Sequence, residues 1–141
     1  MISNAETNKR RLSKLLRADK HCTRIKPLDF LQNKIITGCW EYQPGDQQGW
    51  HNNFGSDSAR CYLVWSETGN SGMRFVLNGK VQTFYDIPGW QYRIFNVPQP
   101  HCVFSNCLRR SYGFRVERVD DDKQIFNPIK LKNAEAILQV T

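Results

Sequence analysis

From about Lys34 onward, short apolar stretches alternate with turn-forming residues at close intervals, the pattern of an all-β sandwich or barrel. The pattern predicts strands near 34–43, 60–66, 73–77, 80–85, 91–96, 101–105 and 110–119. Leu77-Asn78-Gly79-Lys80 is the clearest hairpin, because Asn-Gly accepts the positive φ of a type I′ turn and apolar residues flank it. Pro44-Gly45, Gly69-Asn70, Pro88-Gly89 and the stretch Pro98–Pro100 mark further turns. An aromatic content of 12% suits a β-rich core, and 141 residues suffice for one domain.

The N-terminal part reads differently. Residues 4–18 are predicted to be a helix, capped by Asn4 or Thr7, with Leu12, Leu15 and Leu16 as a narrow apolar stripe. Pro27 ends that region, and Leu28 to Gln32 read as a second short helical turn. Lys9, Arg10, Arg11, Lys14, Arg17, Lys20, Arg24 and Lys26 face only Glu6 and Asp19, so this segment holds nearly all of the net charge of +7. The chain is therefore expected to divide into a basic helical arm (1–33) and a β domain (34–141). The arm suits a nucleic acid or an acidic protein surface, or is simply a solvated helix face. Ile125, Phe126, Ile129 and Leu131 resume the apolar pattern, and residues 133–139 are predicted as a short C-terminal helix with an Asn cap.

No apolar run approaches the roughly 20 residues that span a bilayer, and no signal-peptide core opens the chain, so an intracellular, non-membrane protein is expected. Cys22, Cys39, Cys61, Cys102 and Cys107 form no C-x-x-C pair and read as reduced thiols.

Three histidines are available. His21 lies beside the basic arm and reads as surface. His51, in Trp50-His51-Asn52-Asn53, and His101, in Pro98-Gln99-Pro100-His101, each sit where a loop meets a strand, a position from which a side chain reaches a barrel mouth. Ordinary hydrogen-bonded histidines would satisfy the same spacing. Near the end, Tyr112, Phe114 and Val116 share one strand face, while Arg109, Ser111, Gly113 and Arg115 share the other. The polar face looks either at bulk solvent or into a wet cavity. In the second case guanidiniums and a hydroxyl suit a small dicarboxylate, and Gly113 leaves room for a close approach.

The ordered set Tyr42-x-Pro44-Gly45, His51-x-Asn53, His101 and Arg109-x-Ser111 resembles the iron(II)- and 2-oxoglutarate-dependent oxygenases, closest to their prolyl hydroxylase and alkylation-repair demethylase branches. The likeness covers roughly residues 38–119. It implies a double-stranded β-helix (a jelly-roll or cupin-type fold) with Fe(II) on His51, Asn53 and His101. The co-substrate 2-oxoglutarate would be held by Arg109 with Ser111 and Tyr42, Arg115 would support its near end, and Arg110 is the alternative arginine. Trp50 and Phe54 flank the first histidine as a substrate wall, whereas Trp65 and Trp90 are expected in the core. The family places a carboxylate where this chain has Asn53, and Asp57 and Glu67 are the acids that stand near enough in sequence to replace it. Three outcomes stay open: an active oxygenase on an unidentified, macromolecular-sized substrate, a binding module that has lost the reaction, and a structural jelly roll. The last resembles phage assembly proteins, and short tailed-phage proteins share the Trp-His-x-Asn motif.

Overall fold

The structure, a computed structural model, describes residues 21–53 and 57–141. The helix expected over 4–18 lies outside the described residues, as does Phe54. Ten strands follow in order: β1 (Thr23–Arg24), β2 (Ile35–Tyr42), β3 (Gln47–His51), β4 (Ala59–Ser66), β5 (Ser71–Leu77), β6 (Lys80–Tyr85), β7 (Gly89–Asn96), β8 (His101–Ser105), β9 (Arg109–Val116) and β10 (Ile125–Lys130). They form a six-stranded sheet, β1-β2-β9-β4-β7-β10, and a four-stranded sheet, β3-β8-β5-β6. All pairings are antiparallel. The chain is thus mainly β, and its strand order is consistent with a jelly roll. Among the described residues no helix is long and apolar enough to cross a membrane.

The seven strands read from the apolar rhythm are all present, with ends shifted by a few residues. The β5–β6 hairpin pairs Leu77 with Lys80, and Asn78 and Gly79 take φ of 53° and 74°, as the turn chemistry requires. Both short helical segments are 3₁₀ turns, Asp29–Leu31 and Ala134–Gln139. Asn133 caps the second, its Oδ1 accepting from Ala136 N at 3.0 Å.

Period two sorts each long strand onto two faces with different fates. Cys39, Cys61, Leu63, Tyr92, Ile94, Tyr112 and Phe114 form the outer face of the six-stranded sheet, where Leu31, Leu131 and Ile137 from the flanking segments cover them. The region from His21 to Lys34 is therefore packed onto the β body, with Leu31 fully buried. The alternate residues turn inward. Tyr42, Phe95 and Val97 meet Met73, Phe75 and Val103 of the opposite sheet in a second apolar cluster. Beside that cluster the inner face is polar, with Arg60, Tyr62, Ser66, Gln91, Arg93, Arg109 and Ser111 on β4, β7 and β9, and it is here that the site lies.

Candidate functional site

β3 and β8 are adjacent, and their register sets His51 directly opposite His101 after a shift beyond Gln48. The two rings meet edge to face, centroids 4.1 Å apart at 62°. His51 Nδ1 lies 2.8 Å from Gly49 O, and His101 Nδ1 lies 2.5 Å from Gln99 O. A carbonyl oxygen can only accept, so each neutral ring carries its proton on Nδ1 and its lone pair on Nε2. The same backbone device orients histidines that bind metals. His101 is fully buried against Phe75 and Phe95. Burial foremost, then the neighbouring His51, hold its pKa down at about 3 against the opposing effect of the Gln99 bond, so it is neutral over the physiological range.

Between the sheets lies a cavity of about 160 Å³, lined by Thr37, Gly38, Trp40, Tyr42, Gln48, His51, Asn53, Arg60, Tyr62, Met73, Val103 and Ser111. Asn53 adopts φ 58°, a left-handed conformation that asparagine tolerates, and its side chain hydrogen-bonds Tyr62. Tyr62 Oη is 3.4 Å from His101 Nε2. Tyr42, almost wholly buried, donates from its hydroxyl to Gln48 Oε1 at 3.0 Å. Burial raises the pKa of both phenols.

The guanidinium of Arg109 stacks on the Tyr42 ring with Cζ 5.3 Å from its centroid. Its Nε donates to Asp86 Oδ2 at 2.7 Å, and Arg93 Nη1 donates to Asp86 Oδ1 at 2.6 Å. Arg93 makes two further bonds, to Phe126 O and Phe84 O. Arg109 makes none: both terminal nitrogens are buried without a hydrogen-bond partner among the described residues. One carboxylate thus stands between two fully buried guanidiniums, leaving an excess positive charge and two donors without a partner among the described residues. Burial pushes the Asp86 carboxyl up, but Arg109 and Arg93 together outweigh it and hold it at about 2.

Of the residues singled out from sequence, His51, Asn53, Tyr42 and Ser111 line the cavity, His101 packs on His51, and Arg109 on Tyr42. Arg110 is elsewhere. It has the opposite parity on β9, so its side chain leaves the roll, pairs with Glu41 at 2.9 Å and lies over Trp65. Arg115 has the right parity but sits at the far end of β9, exposed, on a surface groove with Lys34, Asp57 and Arg118 rather than on the cavity. Trp50 is half-buried on β3 and does not line the cavity. Neither acid replaces Asn53: Asp57 is exposed and paired with Arg118, and Glu67 accepts a bond from Leu108 N. Trp90 packs against the outer core, whereas Trp65 is only half-buried beneath Arg110. Among the described residues no group of three or more His, Cys, Asp or Glu is placed to hold a metal ion.

Sequence reasoning missed Tyr62, Arg60, Gln48 and Asp86. The parity of β4, with Cys61 and Leu63 apolar and Arg60 and Tyr62 polar, carries a signal for the first two. Asp86, in Asp86-Ile87-Pro88-Gly89, looks like any turn aspartate.

No protein-family model matches the chain, and no curated protein does. Among solved structures it is similar to a prolyl-4-hydroxylase from Pseudomonas putida, with a TM-score of 0.45 and 19% identity, over 59% of this chain and about half (50%) of the hydroxylase.

Proposed function

We propose that this chain is a double-stranded β-helix oxygenase of the iron(II)- and 2-oxoglutarate-dependent kind. The observation that carries the reading is Arg109: a fully buried guanidinium, already neutralising one face of Asp86, whose two terminal nitrogens have no hydrogen-bond partner among the described residues. A carboxylate is the group that accepts from both terminal nitrogens as a fork, and it would also cancel the excess buried charge.

The donor set fits the metal in part. His51 and His101 each turn Nδ1 to a backbone carbonyl, which leaves Nε2 as the ring atom that would face an ion, and the Asn53 amide oxygen is a neutral third donor on the same cavity. Arg109 would take the far carboxylate of the diacid, with Ser111 and the Tyr42 hydroxyl as additional hydrogen-bonding groups. Iron(II) and a 2-oxo acid, when bound, supply activation of dioxygen for hydroxylation of a C–H bond. The protein's own contribution is to anchor the diacid at one end and to exclude water with Met73, Val103 and Trp40. It also holds His101 neutral, so that this ring can donate. Isothermal titration of 2-oxoglutarate with Mn(II) present tests the reading. Binding that requires both histidines and Arg109 supports it, and absence of any binding sinks it.

A second reading draws on a specific observation, the amide at position 53 and the lack, among the described residues, of a carboxylate placed to replace it. On that reading the pocket retains its diacid without turning it over. Succinate release from 2-oxoglutarate under air separates the two: the oxygenase releases it, and the binding module does not.

A further inference from the structure

Asn53 leaves the proposed centre one anion short, and the group that stands against the histidines in its place is a phenol. Tyr62 reaches across from β4 and lines the same cavity as His51 and Asn53. Its Oη is 3.4 Å from Nε2 of His101, the ring nitrogen opposite the one fixed by Gln99. That distance is long for a hydrogen bond from a hydroxyl, which settles near 2.7–2.8 Å. It is, however, the separation of two ligand atoms that share one ion: bonds of ~2.1 Å at a tetrahedral angle put them ~3.4 Å apart.

The ring is held in place. It stacks on Phe95 with centroids 5.3 Å apart at 19°. Gly113, its cross-strand partner, clears the space it occupies, since a Cβ there would come within 3.2 Å of Tyr62 Cε1. The close approach that a glycine on β9 permits is shared by this tyrosine with Thr37 and the Gly38 carbonyl on β2.

Resting on the reading that His51 and His101 hold a metal ion, we propose that Tyr62 supplies the missing anion, completing a His51–His101–Tyr62 centre. As the ion binds, the O–H bond of Tyr62 breaks, its proton leaves to solvent, and the oxygen forms the metal bond; no electron is transferred. Burial opposes the phenolate foremost, and the Asn53 hydrogen bond with the positive charges of Arg60 and Arg109 offsets part of that cost, so the ion itself must supply the rest. Asn53, bonded to Tyr62, then orients the ligand instead of being one.

The test uses the full chain loaded with Fe(III) from a weak chelate and desalted, with retained iron counted and the visible spectrum recorded. A phenolate-to-iron(III) charge-transfer band in the wild-type protein, with phenolate modes in resonance Raman, is the expected result. Tyr62→Phe should abolish the band and weaken iron retention by at least about tenfold, whereas Tyr42→Phe should keep the band. Because the wild-type spectrum reads the phenolate directly, the result does not hang on how well Tyr62→Phe folds. Iron retained through His51 and His101 without a phenolate band overturns the inference while leaving the proposed function standing. A band that survives in folded Tyr62→Phe also overturns it. Failure of the wild-type chain to retain Fe(III), Fe(II) or Mn(II) removes both.

Discussion

Replacing Arg109 with methionine should leave the fold about as stable as before, or more stable, while abolishing binding of a dicarboxylate. Arg109 is fully buried and bonds Asp86 through Nε at 2.7 Å. Losing one charge-assisted hydrogen bond costs about 1.5–3 kcal/mol. Asp86 is not stranded by the change, because Arg93 at 2.6 Å and the Ser71 hydroxyl at 2.7 Å remain. Against that cost, methionine removes two buried donors that no group among the described residues satisfies, each a burden of about 1–3 kcal/mol. The sum runs from about 1 kcal/mol of destabilisation to about 4.5 of stabilisation. Urea unfolding at constant m-value reads it as a shift in midpoint. The same titration at 2-oxoglutarate a hundredfold above its Kd should add about 2.7 kcal/mol to the wild-type protein and nothing to Arg109→Met. A loss of 3 kcal/mol or more, the range for breaking a buried ion pair, would refute the reasoning. It would mean that Arg109 is a structural counter-ion with no donors to spare.

Asp86→Asn should act in the opposite sense, since it leaves Arg93 and Arg109 buried without a counter-charge; a loss of about 3–5 kcal/mol in urea is expected, and a change under 1 would contradict the ion-pair account. Stability should fall as pH drops from about 6.5 toward 3, because unfolded His101 takes up a proton near 6.5 that the folded ring accepts only at about 3. Asp86, with a folded pKa of about 2 against an ordinary 3.8, adds its own loss only below about pH 4. Thermal midpoints across this range should therefore slope in the wild type and flatten above pH 4 in His101→Gln. Arg110→Ala removes a half-exposed pair with Glu41, so it should cost under about 1 kcal/mol and leave 2-oxoglutarate affinity unchanged; a large affinity loss would put Arg110 back in the site.

The strands legible in the sequence were those with apolar residues on at least one face, and their hairpin chemistry was written in Asn78-Gly79. β3 escaped because Gln47-Gln48-Gly49-Trp50-His51 has no alternation to read, and β10 because Pro128 interrupts it. An edge position tolerates that proline, and β10 is the edge of its sheet. In the site, His51, His101 and Arg109 could be picked out by type and order. Whether the polar face of β9 met solvent or a cavity depended on a second sheet that no local pattern reveals. Period two alone excludes Arg110 from the inner face that Arg109 occupies. Asp86 was invisible for a different reason: its importance comes from Arg93 and Arg109, seven and 23 positions away in the chain.

The two histidines stand on unequal footings. His101 belongs to β8, an inner strand paired on both sides, whereas His51 closes β3, the rim of its sheet, whose outward side carries, among the described residues, a bridge from Gln47 to His21. Peeling β3 away would part the imidazoles while leaving His101 and Arg109 where they are. An ion gripped by both rings would thus also be a clasp, fastening one hem of the roll to its interior. Amide exchange at Gln48 and Trp50 should slow when metal is added, with little change on β8 or β9.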